Sequence, residues 1–307
     1  MGPRARVLAT LAAGLLAATA LAACGGGTST SSGGDLRVVA TTTQLADFTR
    51  NVAGERATVT QLLKPNTDPH EYEPTPGDVT AVAGARIVIE HGIGLDEWLD
   101  QIVANAGGSP ARIVATNGVP LLPGDDKEPA GDPHVWLDPT NAVIMVRNIA
   151  RGLEAADPAG AATYRANADR YVSEIEAMDR DLAARIATVP AGSRKIVTDH
   201  DAFGYFARHY GITVVGTVIP SLSTAAEPAA KDVAALAATI RREGVHTVFP
   251  ESSVDPRLQR AIAEESGAAL GEPLYGDTLG PAGTPGATYL GMMRSNMDAI
   301  IAGIGPG

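Results

Sequence analysis

Six histidines occur in the chain, at positions 70, 91, 134, 200, 209 and 246. Three stand in short turns or at the ends of apolar runs, beside acidic residues: His70 in KPNTDPHEYEPTP, His134 in GDPHVWLDPTN and His200 in KIVTDHDAFGYF. DPH occurs twice, at 68–70 and 132–134. Each proline fixes its own φ and confines the preceding Asp68 or Asp132 to extended shapes. The imidazole that follows is therefore carried on a stiff loop and loses little entropy when a ligand orders it. One such histidine alone reads as a hydrogen-bonded core or turn residue. Three neutral imidazoles on separate stiff loops point to zinc or another divalent transition metal. A closed tetrahedral site needs a fourth ligand. Asp277, in EPLYGDTLG between Gly276 and Gly280, is a candidate, although spacing alone does not select it.

The remaining polar residues read more plainly. Glu251 in FPESS either orients a ligand histidine from behind or caps its own loop. Asp138, followed by Pro139, has the form of an N-cap with a first-turn proline, and is a second candidate for supporting a ligand. Turn and capping roles are sufficient for Asp68, Asp132 and Asp199. His91 reads as structural, His209 as packing or surface, and His246 as a partly exposed strand edge. Trp98 and Trp136 read as core and rim packing.

These side chains need elements to hold them. LRVVATT (36–42), ATVTQLL (57–63), ARIVIEHG (85–92) and ARIVAT (111–116) are apolar runs with helical spacing between them. The alternation restarts with KIVTDH (195–200), TVVGTV (213–218) and HTVFPE (246–251). Alternating strands and helices predict parallel sheets, whose ligands gather outside the carboxyl ends of the strands, where His200 stands. Between the halves, residues 157–190 carry Tyr164, Ala168, Tyr171, Ile175, Met178, Leu182 and Ile186 at spacings of three or four. With Asp157-Pro158 as a start signal and Pro190 as a stop, one long helix is expected, roughly 45 Å for about 30 residues. The expected class is α/β: two lobes, each a mainly parallel sheet flanked by helices, joined by a long rigid helix. The expected bounds are 36–156, 157–190 and 191–307.

The start of the chain reads differently. Arg4 and Arg6 precede an uncharged apolar run to Ala23, the pattern of a cleaved secretory signal over 1–23. The only cysteine, Cys24, ends a Leu-Ala-Ala-Cys run of lipobox type and is expected to carry a lipid, with 24–35 as a flexible tether. The expected location is the outer face of the cytoplasmic membrane. With that cysteine used, no disulfide can form, and the fold must rest on its core. Of the 24 basic residues, losing Arg4 and Arg6 leaves a net charge of −13 against 35 acidic ones. No basic patch stands out, which argues against nucleic acid as a partner.

The stretches PNTDPHEYEPTPGD, GDPHVWLDP, TDHDAFGYFARHYGI, FPESSVDPR and LYGDTLG, in that order, resemble the ZnuA/TroA-like (cluster A-I) solute-binding lipoproteins, which feed zinc or manganese to bacterial ABC transporters. The resemblance runs from about Leu36 to the C-terminus. It implies a buried metal between the lobes, held by His70 and His134 from the first and His200 and Asp277 from the second. It also implies delivery to a membrane permease by a monomer, with a separate metallochaperone as a conceivable supplier. Members carrying manganese tend to have a carboxylate at the third position; His200 there favours zinc over manganese. Many zinc members have a long His-rich loop before the second ligand, whereas LLPGDDKEPAGD (121–132) is short and has no histidine.

Two other readings compete. A zinc hydrolase would use the three histidines, leave the fourth position to water and take Glu251 as base, but no H-E-x-x-H or nucleophile elbow is present. A surface adhesin would need the anchor and no site. For the binding protein, affinity is expected to fall as pH drops toward about 6.5 and below, because ligand imidazoles must be neutral. Release is expected through local motion of the His200 and Asp277 loops, since a long helix resists wide opening.

Overall fold

A computed structural model describes residues 36–226 and 228–304. The signal-like segment, Cys24 and the tether lie outside the described residues. Among the described residues no helix is long and apolar enough to cross a membrane.

The first half runs β1 (Leu36–Ala40), α1 (Thr43–Ala53), β2 (Ala57–Gln61), α2 (Pro76–Ala83), β3 (Ile87–Glu90), α3 (Trp98–Ala106), β4 (Ala111–Val114) and α4 (Pro139–Ala156). After α5 (Ala161–Ile186), the second half runs β5 (Lys195–Thr198), α6 (Gly204–Tyr210), β6 (Thr213–Thr217), α7 (Ala230–Glu243), β7 (Thr247–Val248), α8 (Arg257–Ser266), β8 (Ala269–Leu270) and α9 (Tyr289–Ile304). Both sheets are wholly parallel, with orders β2-β1-β3-β4 and β6-β5-β7-β8. In each, the order reverses beside the first strand, so a crevice opens at the carboxyl ends between β1 and β3 and between β5 and β7. The central strands are buried on both faces: β3 entirely, and β5 from Ile196 onward. That burial explains their near-continuous apolar runs.

Helix α5 has 26 residues, roughly 39 Å. It starts later than the sequence suggests. Asp157 closes α4 instead of opening α5, and Pro158–Gly160 form a single tight turn between them. The Asp157 carboxylate is occupied by Arg56 and by the Tyr164 hydroxyl, so it is not free to cap. The apolar stripe of α5, with Val172 added, is buried along its length, each large side chain contributing about 1.5–3 kcal/mol. It packs on α1, α4 and α9. Asp47 of α1 ties these together, accepting hydrogen bonds from Tyr171 Oη at 2.7 Å and from the Tyr289 amide at 3.3 Å. Helix α9, which sequence periodicity did not mark, therefore reaches from β5 of the second sheet back to α5 and to α1 of the first half. One apolar core runs from Leu36 to Ile304 through both halves.

Candidate metal centre

His70 follows β2, His134 lies in the long connection after β4, His200 follows β5, and Asp277 follows β8. Each DPH turn is built alike. Asp68 Oδ1 accepts the His70 amide at 2.9 Å, and Asp132 Oδ1 accepts the His134 amide at 2.9 Å. The intervening proline has no N–H to compete for the carboxylate, so the aspartate reaches two residues on and locks the histidine backbone. A one-turn helix over Val135–Leu137 then leads to Asp138, which caps α4 by accepting the Thr140 amide at 2.8 Å.

The four side chains meet at one point. His134 Nε2 lies 3.3 Å from His70 Nε2 and 3.1 Å from His200 Nε2. Asp277 Oδ1 lies 3.8, 3.3 and 3.5 Å from the Nε2 atoms of His70, His134 and His200. All four side chains are 1 % exposed or less. Edges of this length, about 3.4 Å on average, belong to a tetrahedron whose centre is about 2.1 Å from each corner, the bond length of zinc to imidazole nitrogen and carboxylate oxygen. Neither Asp277 oxygen accepts a directed hydrogen bond among the described residues, although both are buried. A fully buried carboxylate in that condition calls for a cation.

Every imidazole is oriented from behind by a carboxylate on Nδ1. His70 donates to Glu128 Oε1 at 3.1 Å, His134 to Asp132 Oδ1 at 2.8 Å and His200 to Glu251 Oε1 at 2.7 Å. An acceptor-only partner on Nδ1 fixes the proton there and leaves the Nε2 lone pair directed inward. Glu251 thus touches one of the four converging side chains. Asp138 does not: besides Thr140, its partner is His209, 3.2 Å away. Asp132 acts on the ring as well as on the turn, and Glu128 reaches His70 from the short acidic loop. Its sequence neighbours give no sign of this, because the pairing spans 58 residues.

The field of the site favours charge separation. Burial alone would lower the His70 pKa, but the nearby Asp277 carboxylate and the bond to Glu128 outweigh it and lift the pKa to about 9. His134 and His200 are raised against the same burial, by Asp132 and Asp277 and by Glu251 and Asp277 respectively. Burial would protonate Asp277, yet the charge of His200 and the close approach of all three imidazoles hold it well below the usual range. Asp199 is fully buried with neither oxygen partnered among the described residues, and burial together with the Glu251 charge pushes it up to about 7.

The other histidines separate clearly. His91 is buried, its Nε2–H donating to the Pro133 carbonyl at 2.8 Å beside the His134 turn. His209 bridges Asp138 and Asp179, joining the start of α4 to α5. His246 is exposed. Trp136 is wholly buried and lies edge-on to both His91 and His134, and its Nε1–H donates to the Gly276 carbonyl at 3.0 Å. Trp98 packs at a tilt against Tyr72 at the other side of the first sheet.

Comparison with known proteins follows the same lines. Residues 38–303 match the family model described as ZnuA, zinc-uptake complex component A periplasmic. The iron-binding protein YfeA of Yersinia pestis is 32% identical over 271 residues, 88% of this chain and 86% of that protein. The manganese ABC transporter substrate-binding lipoprotein PsaA of Streptococcus mitis is 31% identical over 306 residues, 97% of this chain and 98% of that one. Among solved structures, the periplasmic zinc binding protein TroA from Treponema pallidum superposes with a TM-score of 0.83 at 30% identity, covering 89% of this chain and all of that one.

Proposed function

The chain belongs to the ZnuA family of periplasmic zinc-uptake components, and from that premise we propose that it captures zinc outside the cytoplasm and delivers it to the permease of an ABC transporter. The observation that carries this is the convergence of three imidazole Nε2 atoms and Asp277 Oδ1 at tetrahedral spacing. Relatives are named for iron, manganese or zinc, so family alone does not choose the metal. The donor set supports zinc. Three nitrogens and one carboxylate suit a borderline ion that accepts four ligands, whereas manganese and harder ions favour more oxygen. A fourth protein ligand occupies the position that a catalytic zinc leaves to water, which supports a binding protein over a hydrolase. Cys24 as lipid anchor and 25–35 as tether would keep the folded body, lobes 36–156 and 191–307 about the connecting helix, at the outer membrane face.

Elemental analysis of protein purified without added metal, followed by zinc–manganese competition, tests the reading. One tightly held zinc per chain, not displaced by a hundredfold excess of manganese, is the expected result. Preferential manganese loading would overturn the choice of metal, and no stoichiometric metal at all would overturn the function.

A further inference from the structure

Asp277 belongs to the second half by sequence, but its hydrogen bonds lead elsewhere. Four consecutive residues around it are tied to the first half. The Gly276 carbonyl accepts from Trp136 Nε1 at 3.0 Å, and the Asp277 carbonyl accepts from Gln44 Nε2 at 2.9 Å. Thr278 Oγ1 accepts the Asn66 amide at 3.0 Å, and the Leu279 amide donates to Thr43 Oγ1 at 2.8 Å. Gln44 is fully buried at the start of α1, in the crevice where the first sheet reverses its order, and its Oε1 is held by Thr43 Oγ1 at 3.0 Å. The second half holds the segment through Leu274 and Tyr275, by the Ser252 amide and by Asn296. Beyond these, Gly276 packs against the Glu251 carboxylate without room for a side chain, which is a contact and not a bond.

His200 is held differently. Its ring bonds to Glu251, its amide reaches the same carboxylate at 3.4 Å, and its carbonyl accepts from Thr198. All three lie within the second half. Its neighbourhood also meets the first half, through half-buried Asp125 to Ser221 and Leu222, half-buried Asp68 to Thr224, and buried Tyr205 to Leu122 and Asp132, but the His200 backbone takes no part in these bonds.

We propose that Asp277 belongs mechanically to the first half, so that the cation is held three ligands to one, by His70, His134 and Asp277 against His200. His200 is then the ligand that departs on release. Gln44 and Trp136 are positioning residues that keep Asp277 behind. An ion gripped two and two would leave each side half a site. A three-to-one division keeps one side almost complete, and a single bond gates exit. The inference rests on the metal-binding reading above.

Residue-resolved amide exchange of the whole protein, with one equivalent of zinc and after its removal, tests it. The amides of His200 and Asp201 are expected to exchange about tenfold faster without zinc, and those of Leu279 and Asn66 less than about threefold faster. Equal acceleration at all four would overturn the proposal, as would acceleration confined to Leu279 and Asn66. If zinc does not bind, the metal-binding reading fails instead. A second arm uses Gln44→Ala. Positioning predicts zinc dissociation faster by about tenfold to a hundredfold. A merely structural role predicts an unchanged dissociation rate with a lower melting temperature for metal-free and zinc-loaded protein alike, and that result would also overturn the proposal. Should Gln44→Ala not fold, the exchange comparison on the unaltered protein decides.

Discussion

Replacing Glu251 separates charge from geometry behind His200. The His200 Nδ1–Glu251 Oε1 bond is the shortest of the three ring–carboxylate bonds, at 2.7 Å, and both side chains are fully buried. The His70–Glu128 bond is 3.1 Å, with Glu128 11% exposed. In Glu251→Gln the amide oxygen can still accept from Nδ1, so the ring stays in place and only the negative charge behind it is lost. Glu251→Ala loses the acceptor too, freeing the ring to turn and its proton to move to Nε2, where it blocks the metal. Outer partners of ligand histidines are worth about 10- to 100-fold in metal affinity, or about 1.4–2.7 kcal/mol. Burial and short distance place Glu251 at the upper end: about 10-fold weaker for Glu251→Gln and about 100-fold for Glu251→Ala. Glu128→Gln, longer and partly solvated, should cost less than Glu251→Gln. Zinc competition against a chelator of known affinity at pH 7.5 measures this, with the melting temperature of metal-free protein as control for folding. Affinities of both Glu251 variants within threefold of the parent, or a larger loss for Glu128→Gln, would refute the reasoning.

Other expectations follow from the same geometry. Because the metal-free ligand histidines are raised, His70 to about 9, zinc must displace protons at neutral pH. Its apparent affinity should therefore climb with pH up to about 9 and fall steadily below, a window higher than the ordinary imidazole value of about 6.5 suggests; calorimetry at pH 7.5 in buffers of different ionisation enthalpy should detect proton release, and none would contradict it. His209, lifted to about 10 by its bonds to Asp138 and Asp179, contributes stability that is full below about 6.5 and lost as pH rises through about 10. His209→Phe should lower unfolding stability by about 1–3 kcal/mol at pH 7, with a smaller deficit above pH 10, in urea titrations. Gly276→Ala should press its methyl into the Glu251 carboxylate, costing about 1–3 kcal/mol of stability and weakening zinc binding; equal affinity in the variant would show that Glu251 can shift without disturbing His200.

What the sequence made legible follows the range of the interactions. The DPH turns are local, so their stiffness could be read directly, whereas the meeting of their imidazoles depended on how the two halves face one another. His200 was placed by its position at the end of an apolar run, because parallel strands gather function at that end. Asp277 needed the family resemblance, since the bonds that set it span 140 residues to Trp136 and 233 to Gln44. The same distance hid the partners Glu128 and Gln44. The extra support expected of Asp138 went to His209 because its capping geometry turns the carboxylate toward α6 and away from His134. The start of α5 was misplaced for a comparable reason: an Asp-Pro pair signals a helix start, but Arg56, more than a hundred residues earlier, had claimed the aspartate.

The return of α9 to the first half has a consequence for how the protein is made. A polypeptide threaded outward from its first residue presents Asp277 and then Tyr289–Ile304 near the very end. The early histidines emerge long before the carboxylate that completes their grip and the helix that seals the shared interior. The four converging side chains can therefore close on one another only when the last thirty or so residues have followed the rest of the chain out.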